Sequence, residues 1–253
     1  MKEAIIKRES VRNFIKQPLT TDDTKFINEY IANEENQKGL FNDIKLNIIE
    51  MNIDGSNKIG TYGFVKNFSG IIFATIPNRQ DYLIDYGFVL EKLVLELTRI
   101  GIGTCWLGGT FERKSLVSKY AEEGDIIPAI IVLGYQKNSR HLQERIIRMV
   151  AKPKKRLDVS KFTTVKNLNT FEDYSEEIEM LRLAPSASNK QPWRITVDDS
   201  IYFDIETKKN YEMFSKIDLG IGVSHFYLTA VENGKNINIV KDDNHILKII
   251  SVD

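Results

Sequence analysis

Apolar side chains recur at i, i+1, i+4 and i+5 between residues 20 and 33, where Phe26, Ile27, Tyr30 and Ile31 line one face and Thr20 with the aspartates after it can cap the start. That spacing predicts a helix. "DIKLNIIEM" (43–51) alternates as a half-buried strand does, and "SGIIFATIP" (69–77) reads as a short buried strand closed by Pro77. Residues 81–99 predict a long helix that is apolar on nearly every face, as expected at the centre of a large core or between two packed halves. Gly101 and Gly103 end it, "TCWLGG" (104–109) reads as irregular, residues 113–123 as a further helix, and "PAIIVLGY" (128–135) as a central strand.

Beyond a basic stretch the pattern starts again, which sets a boundary near Phe162 between residues 1–162 and 163–253. "YSEEIEMLRL" (174–183) predicts a helix, "WRITV" (193–197) and "IYFDI" (201–205) strands, and residues 211–233 a second long helix. Aligned on each other, "IDYGFVLEKLVLELTRIG" (84–101) and "IDLGIGVSHFYLTAVENG" (217–234) share the opening Ile-Asp, the Gly two positions on, Leu95 with Leu228, and the closing Gly. Each follows a strand and precedes a glycine-ended loop, the signature of a degenerate internal duplication.

Composition narrows the field. At 253 residues the chain can bury a sizeable core. Its 35 basic and 35 acidic residues balance, so net charge suggests neither nucleic acid nor an anionic membrane as a partner. The longest apolar run carries Asp85, Glu91, Lys92, Glu96 and Arg99, which a lipid-facing span would not tolerate. The opening "MKEAIIKRES" has no apolar leader, and the expectation is a cytoplasmic protein. The one cysteine, Cys105, excludes an internal disulfide, and His141, His225 and His245 have no zinc-site spacing.

Three stretches carry candidate chemistry. In "RESVRNF" (8–14), Arg8, Ser10 and Arg12 can converge two guanidinium groups and a hydroxyl on one oxyanion, although the stretch alone reads equally as a solvated basic segment. In "LAPSASNKQPWRI" (183–195), Asn189 and Gln191 both donate and accept, Ser186, Ala187 and Ser188 are small enough for backbone N–H groups to approach a flat ligand, and Pro185 and Pro192 brace the ends. A long capping turn would have a similar composition. In "GIGTCWLGG" (101–109), Gly108 and Gly109 permit close backbone approach, or simply end a helix.

Taken together, "RxSxR", "APSASNxQPW" and "GIGTCWLGG" followed by "VLGY" resemble the nitroreductase family of FMN-dependent oxidoreductases. The resemblance implies an α+β fold of two pseudo-symmetric halves with mixed sheets around long central helices. It implies that Arg8, Ser10 and Arg12, with one or both of Lys155 and Arg156, hold the FMN phosphate. Pro185, Ser186, Ser188 and Asn189 would meet the flavin ring or ribityl chain, and Leu107, Gly108 and Gly109 would line N5. Family members carry the APSxxN loop soon after the arginine motif, where this chain has "ANEENQKGLFNDIKL". The intact loop instead follows "KFTTVKNLNTFEDY", which lacks an arginine motif. The chain thus resembles a subgroup with two fused repeats, one surviving flavin site and no need of a second subunit, hence a monomer acting as an internal pseudo-dimer.

The activity implied is ping-pong transfer from NADH or NADPH through FMN to a small acceptor such as a nitroaromatic or quinone, with no protein acid or base required for the hydride step. A specialised family chemistry such as dehalogenation or heterocycle oxidation, and a non-catalytic flavin-binding protein, stand beside it.

Overall fold

The computed structural model describes residues 1–51, 59–136, 156–206 and 209–252. Two long helices form its centre, α4 (Leu83–Arg99) and α8 (Glu212–Glu232), packed on each other along their apolar faces. Among the described residues no helix is long and apolar enough to cross a membrane.

Around α4 lie α1 (Lys2–Lys7), α2 (Thr21–Ala32), α3 (Glu34–Gln37) and α5 (Arg113–Tyr120), with the strands β1 (Leu46–Glu50), β2 (Gly70–Ala74), β4 (Gly103–Leu107) and β6 (Ile130–Gly134) in one antiparallel sheet of order β1-β2-β6-β4. A small ladder joins β3 (Ile76–Pro77) to β5 (Asp125–Ile126). Thr20 caps α2 as its position predicts, its hydroxyl accepting from Asp23 N at 3.2 Å. Around α8 lie α6 (Leu168–Asp173) and α7 (Ser175–Arg182), with β7 (Thr163–Val165), β8 (Trp193–Val197), β9 (Ile201–Ile205), β10 (Ile237–Val240) and β11 (Leu247–Ser251) in the order β10-β11-β9-β8-β7. Only the β7–β8 pair in that sheet is parallel.

The two arrangements correspond. The four strands β4-β6-β2-β1 match β10-β11-β9-β8 strand for strand, two before and two after the central helix in each, and β7 adds a fifth strand to the second sheet. The helix crossing is reciprocal as well. A Cβ added at Gly87 would lie 2.1 Å from the carbonyl oxygen of Ile217, and one added at Gly220 would lie 1.9 Å from that of Ile84. Gly87 thus meets the counterpart of Ile84, and Ile84 meets the counterpart of Gly87, which is how a contact across a two-fold axis behaves.

Two expectations need correcting. "TCWLGG" is not irregular: most of it belongs to β4, paired with β6 from Gly103↔Gly134 to Leu107↔Ile130. The predicted 113–123 helix stops at Tyr120, because Ala121 is extended and Gly124 turns the chain with φ +91°.

Candidate functional site

Arg8 closes α1, and the chain after it runs extended beside β4, with a parallel bridge between Ser10 and Thr104 and a bond from Val11 N to Thr104 O of 2.9 Å. Gly103 permits this approach, since a Cβ there would sit 2.8 Å from Val11 Cγ2. The extended backbone leaves Arg8 buried, with Ser10 and Arg12 exposed. All three surround Cys105. Burial pushes that thiol up, against the pull of Arg12, Arg8 and a hydrogen bond from Ser10.

Arg156 lies on the other side of Arg8. Its guanidinium donates through Nη1 to Asn189 Oδ1 and through Nη2 to Leu183 O at 3.0 Å. Burial lowers Arg156 to about 10, and the nearby positive charges of Arg8 and Arg182 add to that. The structure therefore brings the arginine motif, Arg156 and the Asn189 loop to one place. Lys155 lies outside the described residues.

The loop after α7 is built to present backbone. Ser188, Asn189 and Gln191 all have left-handed φ, at 52°, 55° and 50°, a run that non-glycine residues adopt only when the surroundings impose it. The restraints are specific. Pro185 is buried, Ser186 Oγ accepts from Gln191 N at 2.9 Å, and Gln191 accepts from Leu157 N at 2.8 Å. Asp218 on α8 turns both carboxylate oxygens to Ala187 N at 2.9 and 3.0 Å. Ser188 and Asn189 are left exposed at the tip.

The glycine segment continues β4. Leu107 is buried, Gly108 sits so close under Phe214 of α8 that a Cβ would be 2.6 Å from Cε1, and Gly109 has open space where a Cβ would go. Arg113 fixes the segment from behind, donating to Gly108 O at 2.5 Å and Pro128 O at 2.9 Å. Phe214 lies one helical turn before Asp218, so a single stretch of α8 supports both the glycine segment and the loop.

The donor set is Arg8, Ser10, Arg12 and Arg156 beside a loop of exposed backbone and an uncovered glycine. The buried Nε of Arg8 has no hydrogen-bond partner among the described residues. These groups suit a flat ligand that ends in a phosphate. A protein-family model described as "Putative TM nitroreductase" matches residues 1–230.

The chain belongs to this nitroreductase family.

Among solved structures, this chain is similar to a "putative nitroreductase" from Thermotoga maritima with 26% identity and a TM-score of 0.67, covering 98% of this chain and 92% of that one. A nitroreductase family protein from Clostridium difficile matches at 16% identity and TM-score 0.46, over 66% of this chain and 98% of that one. A nitroreductase with bound FMN from Bacteroides fragilis matches at 19% and 0.41, over 54% and 88%. No curated protein matches the sequence.

Sequence patterns alone passed over Asp218 and Glu91 at the candidate site. Asp218 anchors the loop, and its counterpart Asp85 on α4 accepts from Leu40 N at 2.6 Å, Phe41 N at 3.1 Å and Asn42 N at 3.0 Å. Glu91, also on α4, accepts from Trp106 Nε1 at 2.7 Å and faces His225 Nε2 at 2.9 Å. The available signal was a charged or titratable residue in a helix otherwise apolar all round, because such groups are buried only with partners.

Proposed function

We propose that this nitroreductase binds FMN and acts as an oxidoreductase that takes a hydride from NADH or NADPH and reduces a small acceptor, such as a nitroaromatic or a quinone. The observation that carries this reading is the bond from Arg156 to Asn189, which ties the phosphate-binding side of the site to the flavin loop. Arg8, Ser10, Arg12 and Arg156 would hold the phosphate, joined by Lys155 as the sequence suggests. Pro185, Ser186, Ser188 and Asn189 would meet the ring or ribityl chain, and Leu107, Gly108 and Gly109 would line the reactive edge. When bound, the flavin supplies the hydride chemistry. The chain's own residues grip the phosphate, hold the loop in its left-handed shape and keep the Gly109 side open to reactants.

The same reading assigns one flavin to each chain, built from two fused halves, 1–162 and 163–253. The counterpart loop at Leu40–Asn42 is held by Asp85 as the flavin loop is by Asp218. There the ring of Phe41 lies 4.8 Å from Lys241 Nζ, a residue that follows β10 as Gly108 follows β4. On this reading the Phe41 side chain takes the space of the second site, and no arginine motif completes it.

The test is the absorbance spectrum of purified protein, identification of the flavin after acid release, and NADH oxidation with a generic quinone. Protein that neither carries nor takes up FMN overturns the proposal. Bound flavin without turnover would favour a non-catalytic flavin-binding protein.

A further inference from the structure

Glu91 is fully buried on α4, behind the residues assigned above to the flavin. One carboxylate oxygen accepts from Trp106 Nε1, and the other faces His225 Nε2 at 2.9 Å and stands 4.0 Å from Arg8 Nε. The carbonyl of Met180, 3.1 Å from His225 Nδ1, can only accept, so Nδ1 carries a proton.

Arg8 is itself buried, and Glu91 is the carboxylate that stands nearest its Nε among the described ion pairs. A buried guanidinium whose Nε has no hydrogen-bond partner among the described residues is costly unless an anion lies by it. A second observation concerns the other half. The position on α8 that corresponds to Glu91 is Ser224, whose hydroxyl is buried and has no hydrogen-bond partner among the described residues. That half has no arginine motif. The acid stands only where the arginines do.

We propose that Glu91 is a positioning residue, the internal counter-anion of the buried Arg8 in the ligand-free protein, relieved of that role when a phosphate-bearing flavin binds. The proposal rests on the flavin reading above, and Glu91 itself touches no part of the ligand.

Thermal unfolding of the wild type and of Glu91→Gln tests it, each ligand-free, with saturating FMN, and with saturating riboflavin, which lacks the phosphate. Losing the buried carboxylate should lower the ligand-free Tm by roughly 5–10 °C. FMN should close at least half of the gap between the two proteins, and riboflavin should leave it open. A gap equal in all three conditions, or closed as well by riboflavin, overturns the proposal while the flavin reading stands. A wild type whose Tm and spectrum ignore FMN overturns both. If Glu91→Gln does not fold, the double variant Arg8→Gln, Glu91→Gln removes both charges and should be the more stable protein. A double variant no more stable than the single one overturns the proposal.

Discussion

Asp218 directs both carboxylate oxygens at one backbone N–H, and burial pushes its pKa up to about 7, against the pull of Ala187 and Lys190. The folded state therefore binds a proton that the unfolded chain gives up near its ordinary value of 3.8. Stability from this group is greatest below that value and falls as pH rises toward 7, by roughly 2–4 kcal/mol in all. The loop anchor behaves oppositely, because the ionised carboxylate is the better acceptor. Asp218→Asn should flatten the decline in stability between pH 5 and 8, read by urea unfolding across that range, and should weaken FMN binding most at the alkaline end. Asn189 offers a second test. Its side-chain oxygen is the partner of Arg156, and Asn189→Ala leaves that guanidinium without it, which costs on the order of 1–3 kcal/mol. FMN affinity measured by fluorescence quenching should drop by about tenfold or more; an unchanged affinity would make the bond structural only.

At the level of elements, the α4–α8 crossing is the contact least tolerant of change. Gly220→Ala would place a methyl carbon 1.9 Å from the carbonyl oxygen of Ile84, and only a shift of one helix can relieve that. A loss of about 1–3 kcal/mol or more is expected in denaturant unfolding, with Gly87→Ala similar. Glycine at both crossing points was visible in the aligned helices, as were the helices themselves, because an apolar pattern sustained over four or more turns is hard to mistake. The loop between Leu183 and Ile195 stood out for a different reason: its residues suit neither a core nor a regular element. β4 was misread because Gly103 opens it and two further glycines follow it, and its pairing partner β6 lies across an intervening helix. Asp218 and Glu91 were read only as obstacles to a membrane span or as a repeated letter. Their partners Ala187 and His225 lie 31 and 134 residues away, a distance no local pattern spans.

For the molecule as a whole, the proposed pair of fused halves would bury within one chain the surface that would otherwise pair two subunits. Sedimentation should find a particle of 29.1 kDa, and acid release should yield about one FMN per chain. Two flavins per chain would refute the filled second site, and an obligate dimer with Asn189 reaching a neighbour's flavin would refute the fused pair. The crossing itself has a further implication. Where two identical subunits meet on an axis, any mutation is made twice and both copies of a site must survive it together. Here Gly87 and Gly220 are encoded separately, as are Glu91 and Ser224 or the two loops that hold Phe41 and Asn189. On the proposed reading each side of the axis can be changed alone, which would leave one face free to specialise in chemistry while the other keeps it in shape.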